Sequence, residues 1–182
     1  DFDYATTDRE HAWPKIKVSE GELIGTIGVG KLDFSVVDGD VTLSGLINPE
    51  SYSEDWKIHT VDTFDYYDEP LRSQLLEKNV RTTVPFGGKI DYDIEGKLVG
   101  NWFEEGTGYK QEVENYWSTH LSLVYDSIDT DFVVVSIGEF DGRAGQFGVT
   151  GNEPDPKDIG VEDGIVEYEL KPYEHYLEDT GK

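Results

Sequence analysis

Short runs of alternating apolar and polar residues, broken by Gly, Asp and Pro turns, recur about every 8–12 residues and leave this chain few folds to choose from. Over 89–94, Ile90, Tyr92 and Ile94 share one face and Asp91 and Asp93 the other. Glu95-Gly96 is a turn, and Val99, Trp102 and Phe103 fall in a run over 98–103. Trp117, Leu121, Leu123 and Tyr125 alternate with polar residues over 116–125. Phe132–Ile137 is a β-branched run, the pattern of a central strand. Strands over 146–149 and 165–170 complete the set, the latter with Val166, Tyr168 and Leu170 opposite Glu167 and Glu169. The pattern predicts an all-β, mainly antiparallel protein with one short connecting helix, its larger part a barrel or sandwich.

The first third reads similarly. Ile16 and Val18, a Ser-Glu-Gly turn, then Leu23, Ile24 and Ile27 form a strand-like stretch punctuated by glycines. Residues 32–37 predict a strand, Asp38-Gly39-Asp40 a tight turn, and 41–43 the returning strand. Asn48-Pro49 breaks it. Residues 68–79 predict the helix: Asp68 can cap, Pro70 suits the first turn, Leu71, Leu75 and Leu76 share a face, and Asn79 can close it. The helix divides the chain into a small β module over 1–64, a connector over 65–80 and a larger antiparallel module over 81–182. Residues 1–14 read as a tail or edge segment and 172–182 as a fraying end.

Four Trp, eleven Tyr and eight Phe are too many for a disordered acidic segment, so the chain folds with aromatics in its core. The formal net charge is −24, spread along the whole length. That field repels phosphate backbones and anionic membrane surfaces, which excludes nucleic acid as a partner and favours cations and basic partners. A saline habitat would produce the same surface. No cysteine is present, so disulfides, thiolate metal sites and a Cys nucleophile are excluded. No apolar stretch is long enough to span a membrane. The first residue is Asp rather than Met, as in a processed chain or a fragment.

The segments IKVSEGELIGTIG (16–28), LDFSVVD (32–38) and INPESY (47–52) resemble the closing part of a lysostaphin-like M23 peptidase domain, the duplicated-hybrid-motif fold. Where that family presents His-Leu-His as metal ligands, this chain has Lys31-Leu32-Asp33, and a lysine ammonium has no lone pair for a metal. The resemblance therefore implies the fold with its metal ligands lost. Residues 89–107 and 146–156 resemble a C-terminal domain of uncharacterised bacterial and archaeal envelope proteins. Gly100-Asn101-Trp102 is similar to the Gly-x-Trp opening of lipocalins, which implies a barrel. Together these resemblances imply an extracellular or cell-envelope location.

Of four histidines, His59 stands three residues before Asp62, a spacing that suits a metal or a base with its orienter, and His120 lies in a predicted strand. Neither has a second His nearby. His11 and His175 stand alone near the ends. Calcium is the ion the sequence suits best, because Asp126, Asp129 and Asp131 cluster in YDSIDTD, although the EF-hand spacing is absent. Further acidic residues gather at Glu139/Asp141 and over 155–163. The pairs Asp91/Asp93 and Glu104/Glu105 would suit a two-carboxylate glycosidase, but with 39 acidic residues a solvated sheet face explains them equally. No nucleophile elbow or phosphate loop is present.

The combined reading is a non-catalytic ligand-binding or interaction module. Trp102, Phe103, Tyr109, Tyr116, Trp117 and His120 would line a face for a small-molecule or glycan ligand, or serve as ordinary core. The alternatives are a cell-wall or polysaccharide hydrolase using His59, His120 and nearby carboxylates, and an acidic surface protein that binds calcium. No cofactor other than calcium is implied, and the pattern carries no information on oligomeric state.

Overall fold

A computed structural model describes residues 16–26, 34–110 and 114–173. The segments 1–15, 27–33, 111–113 and 174–182, with His11, Lys31-Leu32-Asp33 and His175, lie outside the described residues. The chain divides into two compact units, one ending at Phe34 and the other beginning at Ser35. Within the described part of the first, the Ser-Glu-Gly turn forms: Glu22 N–H donates to Ser19 O at 3.0 Å, and Ser19 N–H to the Glu22 carboxylate at 2.8 Å. The strands predicted on either side of it do not form over 16–26, and Leu23 and Ile24 are exposed.

The second unit is all-β, as the alternation predicts. Its main sheet has five antiparallel strands in chain order. These are β3 (Gly100–Phe103), β4 (His120–Tyr125), β5 (Val133–Phe140), β6 (Arg143–Val149) and β7 (Leu170–Pro172). A two-residue pair, β1 (Val36–Val37) and β2 (Thr60–Val61), lies apart from it. The main sheet is open between edge strands β3 and β7, so the closed barrel is not what forms. The β-branched run at 133–135 sits in the middle strand and is almost fully buried. Val133, Val135, Leu123 and Val149 build the core on one face, with Leu98, Tyr125, Ile137 and Tyr168 packed against it.

Several local expectations are corrected. Val36–Val37 pairs with Thr60–Val61 rather than with 41–43, because a short helix, α1 (Asp55–His59), returns the chain to that edge. Residues 41–43 keep only loop contacts, Leu43 N–H donating to Ile58 O at 2.9 Å. The predicted helix is α2, Leu71–Leu76, shorter than 68–79; Asn79 ends it by donating to Arg81 O and Phe86 O, both at 2.9 Å. Of the strand predicted over 165–170 only Leu170 joins a ladder, and Ile165 is exposed.

The segment 89–94 is an extended loop, and its faces are reversed. Ile90 and Ile94 are exposed, whereas Asp91 is buried. Asp91 accepts from Gly45 N–H at 2.9 Å and pairs with Lys89 at 2.6 Å. Asp93 accepts from Asn101 N–H at 2.9 Å and Ile47 N–H at 3.2 Å. The carboxylates turn inward because they satisfy backbone donors that no ladder reaches. They also join residues 45–47, from the predicted small module, to the edge of the main sheet. The two predicted modules thus share one compact unit from Ser35 onward.

Candidate functional site

The pleat gives the main sheet two faces. Leu123, Val133, Val135 and Val149 point to the core face. The opposite pleat carries a row in which Asn101, Ser122, Ser136 and Gln146 stand side by side across β3, β4, β5 and β6. The amide of Gln146 donates to Ser136 Oγ at 3.1 Å. These residues floor a cavity of about 940 Å³.

One end of that cavity is an aromatic wall. The next row of the pleat sets Phe103 opposite His120, and their rings meet edge to face with centroids 4.9 Å apart. Tyr109 stacks on His120 at 5.2 Å, and Tyr116 lies 5.5 Å from it. The Tyr109 and Tyr116 hydroxyls are 3.1 Å apart. Tyr52 adds rings against Phe103 and Tyr109, and Trp117 packs edge to face on Tyr116 at 5.3 Å. Gly138 makes the wall's closeness feasible: a Cβ there would run into the Trp117 carbonyl. At the other end of the floor Phe132 lies over Gly148 and stacks on Tyr173. Leu46 and Ile90 close one side.

Burial pushes the His120 pKa below its ordinary value, and the Lys57 charge adds to this against a hydrogen bond to the Gly108 backbone that opposes it. The ring is therefore neutral at pH 7, and its Nε2 is buried without a partner among the described residues. Burial, with the Tyr116 hydroxyl, holds the Tyr109 phenol far above the usual range. The Tyr52 phenol is pushed up to about 12 by burial and the Asp93 charge. The Lys57 ammonium sits 4.0 Å over the Trp56 ring and 4.6 Å over Tyr109, a cation–π arrangement at the cavity rim.

Five of the six residues singled out in the sequence thus share this cluster: Phe103, Tyr109, Tyr116, Trp117 and His120. Trp102 stands on the other pleat, its indole N–H donating to Leu98 O at 2.8 Å, and it also borders the cavity. The polar floor and Lys57 are not singled out by sequence. The signal is nevertheless present in β4 and β5, where Ser122 and Ser136 are hydroxyls among apolar residues on the pleat opposite Leu123 and Val135.

The other candidates are dispersed. His59 ends α1, with Nδ1 2.7 Å from Val41 O. Asp62 accepts instead from the backbone N–H groups of Phe64, Phe86 and Gly87. Asp126 is buried: Oδ1 accepts from Ile128 N–H and Asp129 N–H, both at 2.8 Å, and Oδ2 from the Tyr173 hydroxyl. Asp129 accepts from Asp131 N–H at 3.2 Å, and Asp131 is exposed. Among the described residues no three His, Asp or Glu side chains gather as a metal site would require. Glu104 and Glu105 border a separate acidic cavity of about 690 Å³, together with Glu50, Asp93 and Glu95.

No family model, no curated protein and no solved structure matches this chain.

Proposed function

We propose that this chain is a non-catalytic ligand-binding module of an extracellular or cell-envelope protein, with its site in the cavity over the polar face of the main sheet. The observation that carries the reading is the convergence of Phe103, Tyr109, Trp117 and His120, backed by Tyr116, at one end of a roomy cavity. Concave sites with aromatic walls and a few placed polar groups are the usual form of small-molecule sites. A buried, unpartnered His120 Nε2 supports it further, because a ligand or water there would supply the missing hydrogen bond. The location outside the cytoplasm rests on the resemblances of residues 16–52 and 89–156. The hydrolase alternative draws no such support: His59 is engaged with Val41 O, and Asp91 and Asp93 hold backbone groups.

A fragment screen by nuclear magnetic resonance on labelled protein tests the reading. Hits are expected to shift the Trp117 indole and the amides of 120–122 and 136–138 together. Hits that consistently map elsewhere, for example to the acidic cavity beside Glu104, would overturn it.

A further inference from the structure

The chain carries 39 Asp and Glu among 182 residues. The described lining of the cavity over the sheet includes none of them; it is apolar, aromatic, amide and hydroxyl, with Lys57 as its cation. The neighbouring cavity along the same edge strand is bordered by Glu50, Asp93, Glu95, Glu104 and Glu105. The sheet cavity is thus free of carboxylates in its described lining, with Lys57 at its rim, in a strongly anionic molecule. That pattern selects among ligand classes. An anion is repelled by the net charge of −24 as it approaches. A cation finds no carboxylate in the described lining. A wholly apolar ligand would strip water from the amides and hydroxyls of the floor without replacing their hydrogen bonds.

What fits is an uncharged molecule rich in groups that both donate and accept, with apolar C–H faces for the rings. Asn and Gln amides and Ser hydroxyls each offer both functions, as sugar hydroxyls do. The floor also has a length. Strands lie about 4.8 Å apart, so the stripe from Asn101 to Gln146 runs roughly 14 Å, the span of about three linked pyranose rings. From this, and resting on the binding reading above, we propose that the cavity is a site for a neutral oligosaccharide lying across the strands, about three units long, with the Tyr109–Trp117 wall along its flank.

Titration calorimetry on the whole chain tests this with gluco-, xylo-, manno- and N-acetylglucosamine oligomers of two to six units, and with hexagalacturonate and laurate for contrast. One neutral series is expected to bind, with affinity rising to three units and then levelling. Gln146→Leu is expected to weaken it about tenfold. Trp117→Ala is expected to do at least the same. Both side chains are exposed, so neither change threatens the fold. Glu105→Gln, in the acidic cavity, leaves binding unchanged. Binding of hexagalacturonate or laurate alone, sensitive to Trp117→Ala, would overturn the neutral-sugar proposal and leave the binding module standing. Neutral-sugar binding indifferent to Gln146→Leu and Trp117→Ala would overturn the placement. Fragments that map to the cavity while every saccharide fails would overturn the proposal alone; failure of both would take the binding reading with it.

Discussion

The two faces of the five-stranded sheet are built from the same strands, alternate residue by residue, and have opposite chemistry. On one, Leu123, Val133, Val135 and Val149 are almost completely buried. On the other, Asn101, Ser122, Ser136 and Gln146 stand beneath a cavity, although Val134 on the same pleat is buried. The difference separates a packed face from one that borders the cavity. Burial on the first face supplies about 1.5–3 kcal/mol per large aliphatic side chain, and the proposed binding role falls to the second.

Neighbouring substitutions give the sharpest test of that division. Leu123→Ala is expected to cost about 3 kcal/mol in urea unfolding, through lost transfer energy and the void left behind. Ser122→Ala, one residue away on the other pleat, is expected to change stability by less than about 0.5 kcal/mol. Comparable losses from the two would mean that both faces are load-carrying core and that the cavity is closed in solution.

Gly138 is where the binding face becomes structural. Its missing Cβ admits the Trp117 carbonyl, which seats the turn 116–119 and with it Tyr116 and Trp117. Gly138→Ala forces that turn away and is expected to cost about 2 kcal/mol, in the range of overpacking. The variant's Trp emission should also shift red as Trp117 loses its seat. Stability lost without a change in emission would place the strain in β5 rather than in the wall.

How much of this the sequence carries follows from the same physics. The central strand at 133–137 is legible because a β-branched run has few other places to go. The aromatic wall is legible only as a set of residues, because the wall closes through Tyr52 and Lys57, more than forty residues from His120 in the chain. Trp102 and Phe103 stand on opposite pleats, as adjacent strand residues must, yet both border the cavity. The polar floor is hidden for a different reason: Ser, Asn and Gln on an alternating strand read as a solvated face, and nothing local says that Leu46, Ile90 and Tyr173 will border it. The inward turn of Asp91 and Asp93 is equally non-local. Alternation assigns them to solvent, but the backbone donors of Gly45, Ile47 and Asn101 claim them.

A smaller effect separates the faces by pH. His120 on the binding face has a depressed pKa in the folded state, chiefly from burial beside Tyr109 and Tyr116, with Lys57 adding to it. Near its ordinary pKa of about 6.5 the unfolded chain therefore binds a proton that the folded chain refuses. Stability falls as pH drops from about 6.5 toward the folded value, and this contribution is flat below that value and above about 7.5. His120→Phe should flatten the profile over that window relative to the parent chain, in denaturant titrations at matched ionic strength. An unchanged slope would mean that the ring is solvated and that the wall is open.

The smallest expected effect concerns calcium, and it tests whether the acid-bearing loop beside the sheet is satisfied by itself. Calcium takes six to eight oxygens. Asp126 has one oxygen engaged with the N–H groups of Ile128 and Asp129 and the other with the Tyr173 hydroxyl. Asp129 caps Asp131 N–H. Capturing these carboxylates would mean giving up backbone hydrogen bonds, each about as valuable as the ion contact replacing it. Melting after EDTA treatment and again in millimolar calcium is therefore expected to agree within about 1 °C. A saturable rise of many degrees would show that the 126–131 loop rearranges around an ion. Because Tyr173 borders the sheet cavity and donates to Asp126, such a rearrangement would release that rim, and calcium would then alter ligand affinity as well. The two faces would in that event be coupled through Asp126, and their separation into a stabilising face and a binding face would fail at that corner.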